Sequence, residues 1–281
     1  MRCPGEHARN DTEGMPGMTT KYAEGKMLAE VDQGVGLITF NHPEKRNAMS
    51  VAMWEGLSQI LDTFEADDSV RVVVLTGAGP KAFVSGADIS QFDKQRADGN
   101  AQVEYDRLTS AGRAKLATFP KPVIARIRGF CLGGGLGIAM QADIRIAAVD
   151  SEFGIPAAKL GIAYGYDMTR KLANLVGPAQ ASMMLFTGSR IDATEAARIG
   201  LINQVTSDED LSDVVVGIAR AIADNAPNSL RIGKMAVAEA MSITPDKAKI
   251  DIAVATCFDT EDYKEGRKAF AEKRSPVFTG R

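Results

Sequence analysis

The sequence has few of the residues that carry metal, redox or nucleophilic chemistry. Its 281 residues include only three cysteines and two histidines. Cys3, Cys131 and Cys257 lie too far apart for a CxxC zinc or redox motif. His7 and His42 belong to no cluster with metal-ligand spacing, and neither is placed to activate a serine. We therefore expect no metal site and no histidine-activated nucleophile.

A strong charge of one sign and a long apolar run are also absent. The 33 basic and 36 acidic side chains give a net charge of −3, too little to attract nucleic acid or an anionic membrane. No apolar run reaches the roughly 18 residues of a membrane-spanning helix. Residues 1–20 contain Glu6, Asp11 and Glu13 and lack the apolar segment of a signal peptide. We expect a cytoplasmic protein with a disordered extension over residues 1–20.

What is present is the composition of a globular protein, 45% hydrophobic and 25% charged. In the first half, strand and helix periodicities alternate. The predicted elements are strands at 27–31 and 35–40, a helix from the Ser50 cap to about 65, a strand at 70–76, a helix at 101–119, a strand at 122–127, a helix at 133–141 and a strand at 143–148. The pattern indicates an α/β fold of repeated ββα units, with a core over residues 21–205.

Beyond residue 153 helical periodicity dominates. The predicted helices cover 168–175, 178–185, 193–198, 211–224, 229–241 and 246–271. Residues 206–281 are therefore expected to form a helical C-terminal region.

A glycine run, GGGLG from Gly133 to Gly137, follows a predicted strand and opens a helix. Glycines let a ligand approach backbone N–H groups closely, and the helix dipole favours negative charge there. The run is thus a candidate oxyanion site. A dinucleotide-binding turn is the rival interpretation, but Ile138 stands where the last glycine of GxGxxG would be. A tight packing turn is the third.

Several motifs occur together and in order. They are NHPEKRNAM at 41–49, KAFVSGADI at 81–89, RGFCLGGGLG at 128–137, EFGIP at 152–156, FDTED at 258–262 and EGRKAF at 265–270, followed by Lys273-Arg274. With these motifs the chain resembles the enoyl-CoA hydratase/isomerase (crotonase) family from about Leu28 to its end.

The resemblance implies a crotonase-like fold and an acyl-CoA thioester substrate. It implies that the backbone N–H groups of Ala87 and Gly134 hold the thioester carbonyl oxygen as it becomes an enolate. Coenzyme A enters as part of the substrate, so no separate cofactor is expected. The resemblance also implies a homotrimer or a hexamer, in which residues 206–281 mediate contacts. Residues expected near coenzyme A are Lys45, Ser85, Asp88, Ile89 and, at its phosphates, Lys273, although solvated surface charge explains the lysines equally well.

The chain departs from the family pattern at its acid and base residues. Family hydratases carry glutamates where this chain has Gly137 and Ala157, and paired carboxylates normally orient water and move its proton. The aspartate of family dehalogenases and dienoyl isomerases falls on Gly165. Standard hydratase and isomerase mechanisms therefore lack their usual groups here.

Tyr164 is a further candidate catalyst. It stands where family methylmalonyl-CoA decarboxylases have a tyrosine, although their histidine falls on Ala87. Decarboxylation needs no base, because loss of CO2 itself delivers the enolate. A packed core aromatic is the alternative for Tyr164, and helix capping is favoured over catalysis for Asp167. The functional alternatives are thus a malonyl-type acyl-CoA decarboxylase and a non-catalytic acyl-CoA-binding protein.

Overall fold

The computed structural model describes residues 19–88 and 99–281. Its architecture is α/β with a helical C-terminal region, as predicted. The strands are β1 (Thr20–Tyr22), β2 (Met27–Asp32), β3 (Val35–Phe40), β4 (Val72–Gly77), β5 (Ala82–Val84), β6 (Val123–Ile127), β7 (Phe130–Leu132), β8 (Ile144–Ala148), β9 (Glu152–Gly154), β10 (Arg190–Asp192) and β11 (Gln204–Thr206). The helices are α1 (Val51–Ala66), α2 (Gly99–Thr118), α3 (Gly134–Gln141), α4 (Tyr166–Thr187), α5 (Ala193–Arg198), α6 (Leu211–Ala223), α7 (Pro227–Ala240), α8 (Lys247–Cys257) and α9 (Glu261–Glu272). Within the two described ranges, none of these helices has both the length and the apolarity to cross a membrane.

The chain enters its larger sheet through an antiparallel meander. The predicted turn between β2 and β3 is present, with φ of 44° at Gln33 and 84° at Gly34, the left-handed pair that fits the twist of a hairpin. β1 was not predicted. Thr20, which we expected in the N-terminal extension, begins this strand and pairs with Ala29. Residues 1–18 of that extension lie outside the described residues.

Two sheets make up the core of the described chain. The larger has the order β1-β2-β3-β4-β6-β8-β11 and is parallel from β3 onward. The smaller has the order β10-β9-β7-β5, in which β9, β7 and β5 are parallel. Because parallel neighbours end on the same side, the segments that follow β5 and β7 emerge close together. The three-residue strands β1, β5, β7, β9, β10 and β11 were not predicted, because so short a segment shows no period.

Two helix predictions are corrected. The helices expected on either side of Gly177-Pro178 form one helix, α4, which continues through a kink where Gly177 has φ of 76°. The helix expected at 246–271 is two helices, α8 and α9. The chain breaks between them because the Thr260 side chain accepts a hydrogen bond from the Tyr263 amide at 3.1 Å and starts α9.

Helices cover both faces of the larger sheet. The Ser50 hydroxyl caps α1 as predicted by accepting from the Met53 amide at 3.3 Å. The predicted apolar stripe of α1 is buried in the main core; it consists of Met53, Leu57, Ile60, Leu61 and Phe64. On the other face, α6 buries Leu211 and Val215 against strands β4, β6 and β8. This packing fixes the sheet from which the glycine-rich segments project.

Candidate active site

Two backbone segments converge beyond the ends of β5 and β7. The first runs from Ser85 through Gly86 to Ala87, with Gly86 at φ of 118°, a conformation that residues with a side chain rarely adopt. The second runs from Gly133 into the first residue of α3, Gly134. Both segments come from the motifs that sequence analysis singled out.

The amides of Ala87 and Gly134 face a shared space. A Cβ built on Gly134 would lie 3.8 Å from the Ala87 nitrogen. Met49 bridges the first segment by donating to the Gly86 oxygen at 2.8 Å and accepting from the Asp88 amide at 3.0 Å, and no hydrogen bond joins the Ala87 N–H to another residue that the structure describes. Gly134 is at the start of α3, where helix geometry leaves the N–H without an intrahelical acceptor. Two unused donors next to a helix N-terminus can hold a developing negative charge.

Gly135 is what lets α3 begin so close to β5. A Cβ on Gly135 would lie 1.9 Å from the Val84 carbonyl oxygen, far inside contact distance. Any side chain here would therefore push α3 away from β5. The distance between the Ala87 and Gly134 amides depends on this approach.

The Tyr164 side chain lies beside the first turn of α3. Its hydroxyl donates a long hydrogen bond, 3.5 Å, to the Gly133 oxygen. A Cβ on Gly137 would lie 3.3 Å from that hydroxyl and 3.4 Å from the Met168 methyl carbon. Burial raises the pKa of Tyr164 well above its usual range, and buried Cys131 adds to the effect. Tyr164 is therefore a neutral phenol.

The other candidate acid lies apart from this space. Asp167 is exposed in the first turn of α4. The prediction that Asp167 caps α4 is wrong, because the N-cap residue is Gly165 and no side chain caps this helix. Ala157 is half-buried in the short helix Pro156–Leu160 and packs against the main core.

The residues expected near coenzyme A are only partly brought together. Lys45 and Asp88 form an ion pair at 2.9 Å, with Asp88 buried. The Ser85 N–H donates to the Arg46 oxygen at 3.1 Å, which joins the segment that carries Ala87 to the turn that carries Lys45. Ile89 lies outside the described residues.

Lys273 is not part of this cluster. It is exposed at the end of α9, and within the described residues no hydrogen bond or ion pair joins it to Lys45 or Asp88. The tail that follows α9 is held by Arg71, whose guanidinium donates to the Phe278 oxygen at 3.3 Å. Arg71 precedes β4, so this contact lies at the opposite end of that strand from the glycine-rich segments.

Comparison with known proteins decides the family. The enoyl-CoA hydratase/isomerase family model matches residues 30–281. The chain belongs to the enoyl-CoA hydratase/isomerase family. It is 38% identical to the short-chain-enoyl-CoA hydratase of Clostridium acetobutylicum, over 88% of this chain and 95% of that protein. It is 36% identical to the crotonyl-CoA hydratase of Syntrophomonas wolfei, over 90% of this chain and 97% of that protein.

Solved structures confirm the crotonase fold. An enoyl-CoA hydratase/carnithine racemase from Magnetospirillum magneticum superposes with a TM-score of 0.88 at 37% identity, over 91% of this chain and 96% of that one. An enoyl-CoA hydratase from Bacillus anthracis gives a TM-score of 0.84 at 31% identity, over 91% of this chain and 100% of that one. The protein is thus an acyl-CoA enzyme of the enoyl-CoA hydratase/isomerase family.

Two residues that shape the site were not predicted from the sequence. Met168 lies beside position 137, and its sulfur accepts a hydrogen bond from the side-chain Nε2 of Gln141 at 3.4 Å. Asn47 is fully buried beneath the turn that carries Lys45. The sequence offered one signal for Asn47, its place inside the NHPEKRNAM motif, whereas its burial and its hydrogen-bond partners appear only in the fold. In the two described ranges, no group of three His, Cys, Asp or Glu side chains could hold a metal.

Proposed function

We propose that this enzyme stabilises the enolate of an acyl-CoA thioester through the N–H groups of Ala87 and Gly134. The observation that carries the proposal is that these two amides lie close together at the N-terminus of α3 and have no acceptor within the described ranges. Preorganised donors of this kind lower a barrier by about 3–4 kcal/mol each, because they face the charge before it develops. The role needs only backbone atoms, so it is compatible with alanine and glycine at these positions.

The substrate is proposed to be a short-chain acyl-CoA. The relatives named for short-chain-enoyl-CoA and crotonyl-CoA support a small acyl group. Ser85 and Asp88 flank Gly86 and Ala87 in the chain, and Lys45 pairs with Asp88 at 2.9 Å, which supports the contact of these three residues with coenzyme A. Ile89 is proposed for the same contact by its position in the sequence.

A homotrimer or hexamer is proposed as the active assembly. Apolar side chains on the C-terminal helices are exposed in the single chain, including Phe270 at 87% and Ile252 at 66%. Covering them would bury apolar surface at about 25 cal/mol per Å². Lys273, which is exposed at the end of α9, is proposed to meet a coenzyme A phosphate in this assembly. Sedimentation that finds only monomers would contradict this assembly.

Decarboxylation is the second candidate reaction, and Tyr164 favours it. Positions 137 and 157 carry no carboxylate, whereas the neutral phenol of Tyr164 lies 3.5 Å from the oxygen of Gly133, the residue before Gly134. In a 2-carboxyacyl thioester, the bond from Cα to the carboxylate carbon breaks, CO2 leaves, and the bonding electrons form the enolate. The Tyr164 hydroxyl then donates a proton to Cα and is reprotonated from water.

Turnover of two substrates tests these reactions. Crotonyl-CoA reports hydration and methylmalonyl-CoA reports decarboxylation, each followed by mass spectrometry. We expect methylmalonyl-CoA to lose CO2 and the Tyr164→Phe variant to lose turnover while coenzyme A affinity is kept. Full activity of Tyr164→Phe would refute the role of Tyr164. Hydration of crotonyl-CoA alone would support a hydratase that orients water without the usual carboxylates. Tight binding with no turnover of either substrate would support an acyl-CoA-binding protein.

A further inference from the structure

The Asn47 side chain makes three hydrogen bonds beneath the turn that precedes α1. This side chain is fully buried. Its Oδ1 accepts from the His42 amide at 2.9 Å, and its Nδ2 donates to the carbonyls of Ala78 at 3.0 Å and Ala82 at 2.8 Å. Only this orientation of the amide fits one N–H and two carbonyl neighbours. One side chain thus joins the turn at 42–47 to both ends of the loop between β4 and β5.

The backbone at Asn47 is one that few residues tolerate. Arg46 and Asn47 have φ of 52° and 56°, in the left-handed region. That conformation is unfavourable for residues with a Cβ and least so for Asn and Asp. The three side-chain hydrogen bonds of Asn47 hold the turn in this shape. Without them, we expect the turn to relax toward a commoner conformation.

The same turn braces the segment that carries the Ala87 amide. Arg46 accepts from the Ser85 amide at 3.1 Å, and Met49 bonds Gly86 and Asp88 on either side of Ala87. The residues that make these hydrogen bonds, Arg46 and Met49, lie on either side of Asn47 in the sequence. A shift of the turn therefore moves the Ala87 N–H relative to Gly134, which belongs to a different segment.

We propose that Asn47 is a positioning residue, which holds the Ala87 amide in the orientation that stabilises an enolate. The inference rests on the proposed function, since it assigns Asn47 to the same pair of amides. Asn47 itself touches neither the thioester nor the amide of Ala87. It acts through the turn at 42–47 and the three backbone hydrogen bonds to residues 85–88 that follow from it, one made by Arg46 and two by Met49.

Acetoacetyl-CoA is the probe for this role, because its 1,3-dicarbonyl group forms an enolate with its own near-ultraviolet absorbance. The fraction of bound probe present as enolate reports the two amides without any turnover. In Asn47→Asp the acceptor remains, but both donors are lost and a carboxylate faces two carbonyl oxygens. We expect the enolate fraction to fall by about tenfold or more, since misplacement by about 1 Å can cost on the order of 100-fold.

The control is a buried variant of similar stability on the opposite face of the larger sheet. Val215→Ala on α6, or Leu211→Ala if it matches better, is chosen for the same loss of melting temperature as Asn47→Asp. The control should keep the enolate fraction within about twofold of the wild type. If Asn47→Asp fails to fold, Asn47→Gly replaces it, because glycine keeps the left-handed turn and adds no charge.

The outcomes separate the two proposals. An enolate band in the wild type that the Asn47 variant loses and the control keeps supports the positioning role. An enolate band of equal strength in the Asn47 variant and the control overturns that role and leaves the amides of Ala87 and Gly134 in place. A wild type that binds the probe without an enolate band overturns the proposed function and the role of Asn47 with it.

Discussion

Gly135→Ala is the sharpest test of the geometry at the start of α3. The added Cβ would lie 1.9 Å from the Val84 oxygen, a backbone atom that cannot turn away as a side chain would. An ordinary contact is about 3.5 Å, so α3 and β5 must separate by about 1.6 Å. Gly134 is the preceding residue, and its amide moves with the helix. The substitution thus widens the gap between the two proposed donors.

The separation predicts both a loss of stability and a loss of enolate stabilisation. Overpacking of a tight site costs about 1–3 kcal/mol, which for a chain of this size lowers the melting temperature by about 2–12 °C. A displacement beyond about 1 Å is expected to cost on the order of 100-fold in reactions that depend on orientation. The loss at the site should therefore exceed what the loss of stability explains.

Melting curves and the enolate band of bound acetoacetyl-CoA measure the two effects separately. Gly233→Ala is the matched control, because it is the same substitution in a helix, α7, with nothing within 4 Å of the new Cβ. The control should be as stable as the wild type or slightly more so, since alanine favours helix by about 1 kcal/mol over glycine. If Gly135→Ala kept a normal enolate band, the close approach of α3 to β5 would not set the position of the Gly134 amide.

Two further predictions concern position 137 and the C-terminal tail. A Gly137→Glu variant should gain crotonyl-CoA hydration only with Tyr164→Phe, which removes the hydroxyl 3.3 Å from the new Cβ; equal activity with Tyr164 intact would contradict this competition for space. At Glu265, a hydrogen bond from the Arg274 side chain lowers the pKa to about 2. Because this pKa is depressed on folding, the carboxylate stabilises the fold above about pH 4.5, and that contribution is lost as the pH falls toward about 2. Glu265→Gln should therefore lower the melting temperature at about pH 7 and have less effect at about pH 2.5, and equal effects at both would refute it.

Long elements with a clear period could be predicted from the sequence, and short ones could not. Strand β3 and helix α1 have the bounds that their apolar spacing indicates, within one residue. The smaller sheet was not predicted, because each of its strands has only three residues and pairs with strands that are distant in sequence. The continuity of α4 through Gly177-Pro178 was also not predicted, since local propensity favours a break there and packing against the core overrides it.

In the candidate site, too, some features could be predicted from the sequence and others could not. The two segments that carry Ala87 and Gly134 were identified from their motifs, and the fold brings them together. The prediction that Asp167 caps a helix was wrong because capping depends on the residue at which the helix starts, and that differed by two positions. Asn47 was passed over because two of its partners, Ala78 and Ala82, lie more than 30 residues away in sequence.

The proposed donors are backbone groups. The fold can therefore keep enolate stabilisation when the side chains that transfer protons are absent. Gly86, Gly135 and Asn47 set the amides through conformation, close approach and hydrogen bonds, none of which involves a side chain at 137 or 157. Glycine and alanine at those two positions have no group that moves a proton, whereas the proposed enolate site needs only backbone atoms. Which reaction follows then depends on what delivers and receives a proton beside it. In this chain we propose the neutral phenol of Tyr164, beside the first turn of α3, as the group that delivers this proton. A reaction that makes its enolate without a base therefore suits the site best.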